Sequence, residues 1–198
     1  LRSRVRRSRE RVRRELGVED GTVLCAMVAN VRPWKGHHVV VEALRRLDPE
    51  TRACLRVLFV GATAPEHRAY EDALRRTVRE AGLADTVTFL GYREDVPDLL
   101  HASDIALHAS VAPEPGGVAV LEAMALGTPV VAANRGGHVA YLAGGAGLTF
   151  DPEEPAQLAA CLRRLAASPD ERARLAEAAR TRVAKYSLDR AVQATLRV

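Results

Sequence analysis

The chain has 198 residues, 47% hydrophobic and 27% charged, enough to bury one well-covered core, so a single folded domain is expected. No apolar run reaches the length of a membrane span, and the start lacks the apolar stretch and small-residue cleavage site of a secretory signal, which predicts a soluble cytoplasmic chain. The net charge of +4 is uneven: residues 1–14 hold eight arginines against Glu10, a local +7 that leaves the remainder mildly acidic. Nucleic acid is not the expected partner, because no aromatic residues interleave the arginines, no recognition motif is present, and Val5, Val12 and Leu16 share one helical face. A solvated basic helix within residues 1–20 is the favoured expectation, and a cut segment that packs on something absent is the alternative.

Beyond that helix the pattern alternates. Residues 23–31 are strand-like, 36–47 have helical periodicity, 55–60 are again strand-like and end at Gly61, and a charged helix follows over about 66–81. Next come a strand over 86–90, a short helix over 96–102, a strand over 105–108, a helix containing Glu122, and strands over 129–133 and 147–150. Two helices close the pattern over 155–167 and 169–185, with Pro152, Pro155 and Pro169 marking starts. No repeat, low-complexity tract or internal linker interrupts it. The alternation predicts an α/β fold: a Rossmann-like, doubly wound parallel sheet of about six strands with helices on both faces. Cys25, Cys54 and Cys161 are odd in number and far apart, so core thiols are expected rather than disulfides, and no metal site is expected.

In such a sheet, ligands bind beyond the carboxyl ends of the strands, which directs attention to residues 30–35, 61–64, 91–95, 110–117 and 134–138. Glu114 and Glu122 stand eight positions apart in one of them. Pro115, Gly116 and Gly117 force a turn after Glu114, the apolar residues that follow start a helix, and Gly127 and Pro129 end it. Glu122 thus lies among apolar neighbours, where a carboxylate needs a partner, and ligand hydroxyls would supply one. Gly116 and Gly117 precede helix amides that suit a phosphate or a sugar hydroxyl, although a tight turn alone explains two glycines. Lys35 is one of only two lysines among 29 basic residues, the other being Lys185. It invites a phosphate contact, against the usual solvated loop lysine. The six histidines, His37, His38, His67, His101, His108 and His138, are expected to be exposed, and none is assigned catalysis.

Five segments occur in a familiar order: Val28-Ala29-Asn30-Val31-Arg32-Pro33-Trp34-Lys35-Gly36, Val57-Leu58-Phe59-Val60-Gly61, Val87-Thr88-Phe89-Leu90-Gly91-Tyr92, Ala102-Ser103-Asp104-Ile105, and the block from Glu114 to Ala132. Together they resemble the carboxyl-terminal domain of GT-B glycosyltransferases of family 4, the retaining nucleotide-sugar enzymes, over residues 21–198. The resemblance implies a domain that binds a nucleoside-diphosphate sugar. Glu122 would hold the ribose hydroxyls, and Glu114 the transferred sugar, with its charge favouring the positive charge that develops at the anomeric carbon. Gly116, Gly117 and Val118 would lie beside the sugar or diphosphate. Lys35 would neutralise the leaving diphosphate as the glycosidic bond breaks, without a metal or other cofactor. Gly61, Tyr92 and Arg93, with Val96, would belong to the nucleotide side, where loop backbone reads the base.

Two positions depart from the family pattern. Asn30 stands where many relatives carry a phosphate-binding arginine, and brings a hydrogen bond without charge, with Arg32 as a nearby substitute. Gly116 and Gly117 stand where an aromatic residue and a glycine are common, which loosens the sugar pocket. The resemblance also implies an absent amino-terminal domain that binds the acceptor and provides any membrane association. The chain is then read as a fragment that binds donor but transfers sugar poorly or not at all. A non-catalytic nucleotide-sugar-binding module is the alternative, a GT-B sugar-nucleotide epimerase ranks below it, and a nicotinamide-dependent dehydrogenase lower still because no Gly-x-Gly-x-x-Gly follows the first strand. Base, sugar and acceptor stay open, since each depends on a few pocket contacts or on the absent domain.

Overall fold

The computed structural model describes residues 4–186. The final helix that the same resemblance implies over residues 186–198, returning toward the absent domain, lies, beyond Tyr186, outside the described residues. Six strands form one sheet: β1 (Val23–Val28), β2 (Leu55–Val60), β3 (Val87–Gly91), β4 (Ile105–His108), β5 (Val130–Ala133) and β6 (Leu148–Phe150). Every pair is parallel, and the spatial order is β3-β2-β1-β4-β5-β6. This is the Rossmann-like arrangement expected from the alternation. Helices cover both faces, so most strand residues are buried on each side and the strands read as near-continuous apolar runs.

The helices are α1 (Arg9–Glu15), α2 (His37–Arg45), α3 (Pro49–Ala53), α4 (Arg68–Glu80), α5 (Val96–Ala102), α6 (Val118–Leu126), α7 (Val139–Leu142), α8 (Pro155–Ala167) and α9 (Pro169–Val183). Alternate residues of β1 point to opposite sides of the sheet. Cys25 and Met27 join Val40 and Leu44 of α2, Leu74 and Val78 of α4, and Leu158 and Leu162 of α8. Ala26 faces Leu100 of α5 and Val120, Ala123 and Met124 of α6, while Leu24 meets Val12 of α1 and Leu99 of α5. Cys25, Cys54 and Cys161 are free thiols, the first buried and the other two half-buried.

Because β4 lies beside β1 rather than beside β3, the loops after β1 and β4 diverge to opposite faces and leave a crevice at their carboxyl ends. The crevice walls touch at Gly36, whose φ is 77° and where a Cβ would stand 1.8 Å from the Ala109 carbonyl oxygen. Only glycine fits there.

Several elements differ from expectation for local reasons. β1 ends three residues early, although Ala29 and Val31 still donate to the carbonyls of Val60 and Ala62 at 2.9 and 3.0 Å. Pro33–Lys35 form a single 3-10 turn before α2, so Lys35 sits on a turn stiffened by Pro33. The unexpected α3 is five residues long, capped by Asp48, whose carboxylate accepts from Thr51 N–H at 2.7 Å, with Pro49 at its first position.

The basic amino-terminal segment forms a surface helix, with Glu10, Arg11, Arg14 and Glu15 exposed, but it is docked rather than wholly solvated. Val12 is buried, and three arginines reach aspartates about ninety positions away in sequence. Arg7 Nε lies 3.0 Å from Asp98 Oδ2 and its guanidinium also bonds Asp95; Arg9 and Arg13 both bond Asp104. The amides of Arg6 and Arg7 donate to Asp98 Oδ1 at 2.7 and 3.3 Å. Local charge counting saw the arginines but not these remote acids.

Candidate functional site

Lys35 and Glu114, separated by 79 positions, meet across the crevice with Nζ 2.7 Å from Oε1. The Ser110 hydroxyl donates to the same oxygen. Burial opposes ionisation of Glu114, but Lys35 and Ser110 outweigh it and hold the carboxyl below the ordinary glutamate value. The loop behind Glu114 is held by backbone: Gly137 N–H donates to the Glu114 carbonyl at 2.9 Å. A Cβ at Gly136 would lie 2.5 Å from that carbonyl oxygen, and one at Gly137 would lie 2.2 Å from the Pro115 carbonyl oxygen. Gly136 and Gly137 are therefore what lets the β5 loop pack against the β4 loop.

Two residues beneath Glu114 correct the expectation for histidines. His108 and His138 are buried, their rings 4.2 Å apart between centroids, and His108 Nε2 lies 3.6 Å from Glu114 Oε2. Burial pushes His108 down to about 4, and His138 and Lys35 add to that effect against the pull of Glu114. His37 is also buried, edge-on to Phe59, and burial pushes it down to about 4. Only His38 follows the exposed expectation fully; His67 and His101 are half-buried. A single histidine carries no periodic signal, so nothing in the local pattern separated buried from exposed ones.

Gly117, with φ 64°, ends the turn and starts α6, whose N-terminus has no side-chain cap. The side chain of Val118 is 69% exposed at that start. One turn further on, Glu122 lines a cleft of about 690 Å³ with Arg4, Arg6, Val28, Val96 and Pro97. Burial pushes the Glu122 carboxyl up, opposed only by the charge of Arg4, and no hydrogen bond reaches it from the described residues. Beside the cleft, Arg93 makes two bonds to Asp95, at 2.8 and 2.6 Å, so its guanidinium is already engaged.

Gly61 and Tyr92 line a second cleft of about 430 Å³, on the other side of the loop after β3, together with Phe59, Thr63, Arg68 and Phe89. Asn30 does not point into either cleft's lining; its Oδ1 accepts from Ala62 N–H at 3.2 Å and ties the β1 loop to the β2 loop. Arg32 lies over the Trp34 ring at 5.3 Å. The predicted residues therefore fall into three groups along one edge of the sheet: Lys35 with Glu114, Gly116, Gly117 and Val118 at the centre, Glu122 with Arg93 nearby on one side, and Gly61 with Tyr92 on the other. Arg4, Ser110, His108 and His138 complete them and were missed, because their relation to the two glutamates is made only by the fold. No cluster of metal ligands occurs among the described residues, and no described helix is long and apolar enough to cross a membrane. Chemically, the edge offers a cation, two carboxylates shifted in opposite directions and an uncapped helix start. Together they suit an anionic ligand that also carries hydroxyls.

Residues 8–182 match the family described as glycosyl transferases group 1. The chain is 34% identical to a D-inositol 3-phosphate glycosyltransferase of Salinispora arenicola, over 97% of this chain and 44% of that protein. Among solved structures it resembles HepE of Anabaena in complex with UDP and glucose, with a TM-score of 0.86 and 30% identity over 95% of this chain and 51% of that one. It also shares the fold of the carboxyl-terminal domain of the group 1 protein LpcC from Francisella tularensis, with a TM-score of 0.82 and 23% identity, covering 93% of this chain and 95% of that one. The chain spans about half the length of the curated relatives it matches.

Proposed function

Because the chain belongs to the glycosyl transferases group 1 family, we propose that it is the donor-binding half of a retaining enzyme that moves a sugar from a nucleoside diphosphate to an acceptor hydroxyl. The observation that carries this reading is Glu122, a half-buried carboxylate without a hydrogen-bond partner among the described residues, facing a cleft large enough for a nucleoside. An ionised carboxylate accepts only, so a vicinal diol such as ribose offers it two donors at once. The same loop system supplies the rest of such a ligand. Lys35 faces the diphosphate, the amides at the start of α6 face the sugar–phosphate link, and Glu114 faces the sugar.

The Lys35–Glu114 pair then has two uses. Without donor, each neutralises the other. With donor, Lys35 turns to the diphosphate, whose charge grows as the glycosidic bond breaks, so the contact is stronger in the transition state than in the ground state. Glu114, released from part of its pairing, accepts sugar hydroxyls and lowers the cost of positive charge at the anomeric carbon. Lysine and helix amides meet the diphosphate charge, so the scheme runs without a metal. Asn30 shapes the diphosphate loop through Ala62 rather than by charge.

The acceptor would come from a second domain across the same edge. Trp34, Tyr92 and Val118, three of the four large apolar side chains exposed among the described residues, lie in the loops there, as a face covered by ligand or by another domain requires. The relatives' extra length would supply that domain and any membrane attachment, with the cytoplasm as the compartment that holds nucleotide sugars. Titration calorimetry of the chain with UDP, GDP and their sugars tests the proposal. Binding of one of the nucleotides in the micromolar to millimolar range is expected, and no heat with any of them would contradict it.

A further inference from the structure

The donor-site reading leaves the histidine pair under Glu114 without a role. His138 Nε2 lies 2.8 Å from the Ala133 carbonyl oxygen, so in the neutral ring this nitrogen carries the proton, and Nδ1 is a buried acceptor without a partner. His108 Nδ1 is likewise buried and, like His138 Nδ1, without a partner among the described residues, while its Nε2 is 3.6 Å from Glu114 Oε2. A neutral His108 has one proton to place. On Nδ1 it would turn a lone pair toward an anionic oxygen; on Nε2 it turns a donor there, so the second tautomer is favoured. The two oxygens of Glu114 are therefore unequal. Oε1 is taken by Lys35 and Ser110, whereas Oε2 sees a neutral donor beyond hydrogen-bond length. The ring has little room to retreat, because His138 packs against it at a 54° tilt and Gly117 lies close beside His138, so close that a Cβ there would stand 2.8 Å from the His138 Cβ.

We propose that His108, wedged by His138, is a positioning residue that fixes the rotation of the Glu114 carboxylate, so that Oε2, the oxygen left without a hydrogen bond from the described residues, stays available to a hydroxyl of the transferred sugar. The proposal rests on the reading in which Glu114 meets that sugar, and it adds what decides the carboxylate's orientation. His108 acts through Glu114 and touches no ligand. A charged group in its place would compete with the sugar for Oε2, and an apolar one would let the carboxylate rotate fully onto Lys35. A neutral ring below the carboxylate does neither.

The discriminating experiment compares UDP with UDP-glucose, and GDP with GDP-mannose, on the wild-type chain and on His108→Leu, His108→Gln and His108→Asn, with a thermal melt of each. For the nucleotide that binds, His108→Leu is expected to leave diphosphate affinity within about twofold and to weaken the sugar nucleotide about tenfold. His108→Gln, whose amide reaches a similar position, is expected to recover most of that loss, and His108→Asn, which stops short, is not. Equal sugar-nucleotide affinity in His108→Leu and wild type, or equal losses in the Gln and Asn variants, would overturn the proposal. If His108→Leu does not fold, the Gln and Asn pair decides. A wild-type chain that binds no nucleotide would instead overturn the donor-site reading and carry this inference down with it, whereas binding with an unchanged sugar increment overturns the inference alone.

Discussion

Two sets of carboxylates line the cleft beside the loop after β3, and they are treated in opposite ways. Asp98 has a side chain only 4% exposed, yet it accepts from two backbone amides and from Arg7. Burial opposes its ionisation, but those donors prevail and hold the carboxyl below its ordinary value. Arg93 and Arg7 do the same for Asp95. Glu122, on the neighbouring helix α6, receives no such help, and burial pushes it up. A chain with 29 basic residues is not short of donors. Among the described residues one half-buried carboxylate is left open while those beside it are saturated, and the donor-site proposal rests on that contrast.

The largest way to break this contrast is to remove the saturated member. Asp98→Asn leaves Arg7 and two amides facing a neutral amide and should cost about 3 kcal/mol in urea unfolding. A cost below about 1 kcal/mol would mean the amino-terminal segment docks by Val12 and its apolar neighbours alone. Acid offers a second handle. His37 and His108 both titrate near 4 in the folded chain, below the usual 6.5, so the unfolded chain binds more protons in that window. Stability should therefore fall as pH drops from 6.5 toward 4, before Asp98 loses its charge below 3.8. His37→Phe should flatten part of that slope, as read by melts across pH.

The charged pair at the site's centre separates binding from stability. Lys35→Met should weaken nucleoside-diphosphate binding about tenfold. It should change unfolding free energy by less than about 1 kcal/mol, because the pair is partly exposed, at 24% and 18%. Smaller still is the stability effect at Glu122. Its raised carboxyl disfavours the folded state once ionised, so Glu122→Gln should raise the melting temperature at neutral pH by about 1–2 °C.

The same contrast explains what could be read from the residues alone. Buried parallel strands are continuous apolar runs, and Pro155 and Pro169 stand at the first position of α8 and α9, so all six strands and most helices were legible. The placement of Glu114 on the loop after β4 and of Glu122 within the helix that follows was legible because both lie in one strand-end and helix motif. Contacts made across the crevice were not. Lys35 meets Glu114 over 79 positions, Arg7 meets Asp98 over 91, and His108 finds His138 on the next loop. No local pattern encodes them, because strand order brings them together. The short α3 was missed for a different reason: five residues are too few for periodicity, although Asp48 and Pro49 carried the signal of its start.

A paired melt and titration of the wild-type chain and Glu122→Gln tests the central claim, that Glu122 is left open for a ligand, most directly. The account predicts that the variant melts at least as high as wild type at neutral pH while its affinity for UDP or GDP, whichever the wild type binds, falls about tenfold. A variant that melts lower and binds the nucleotide as well as wild type would show that Glu122 serves the fold, and would contradict the account.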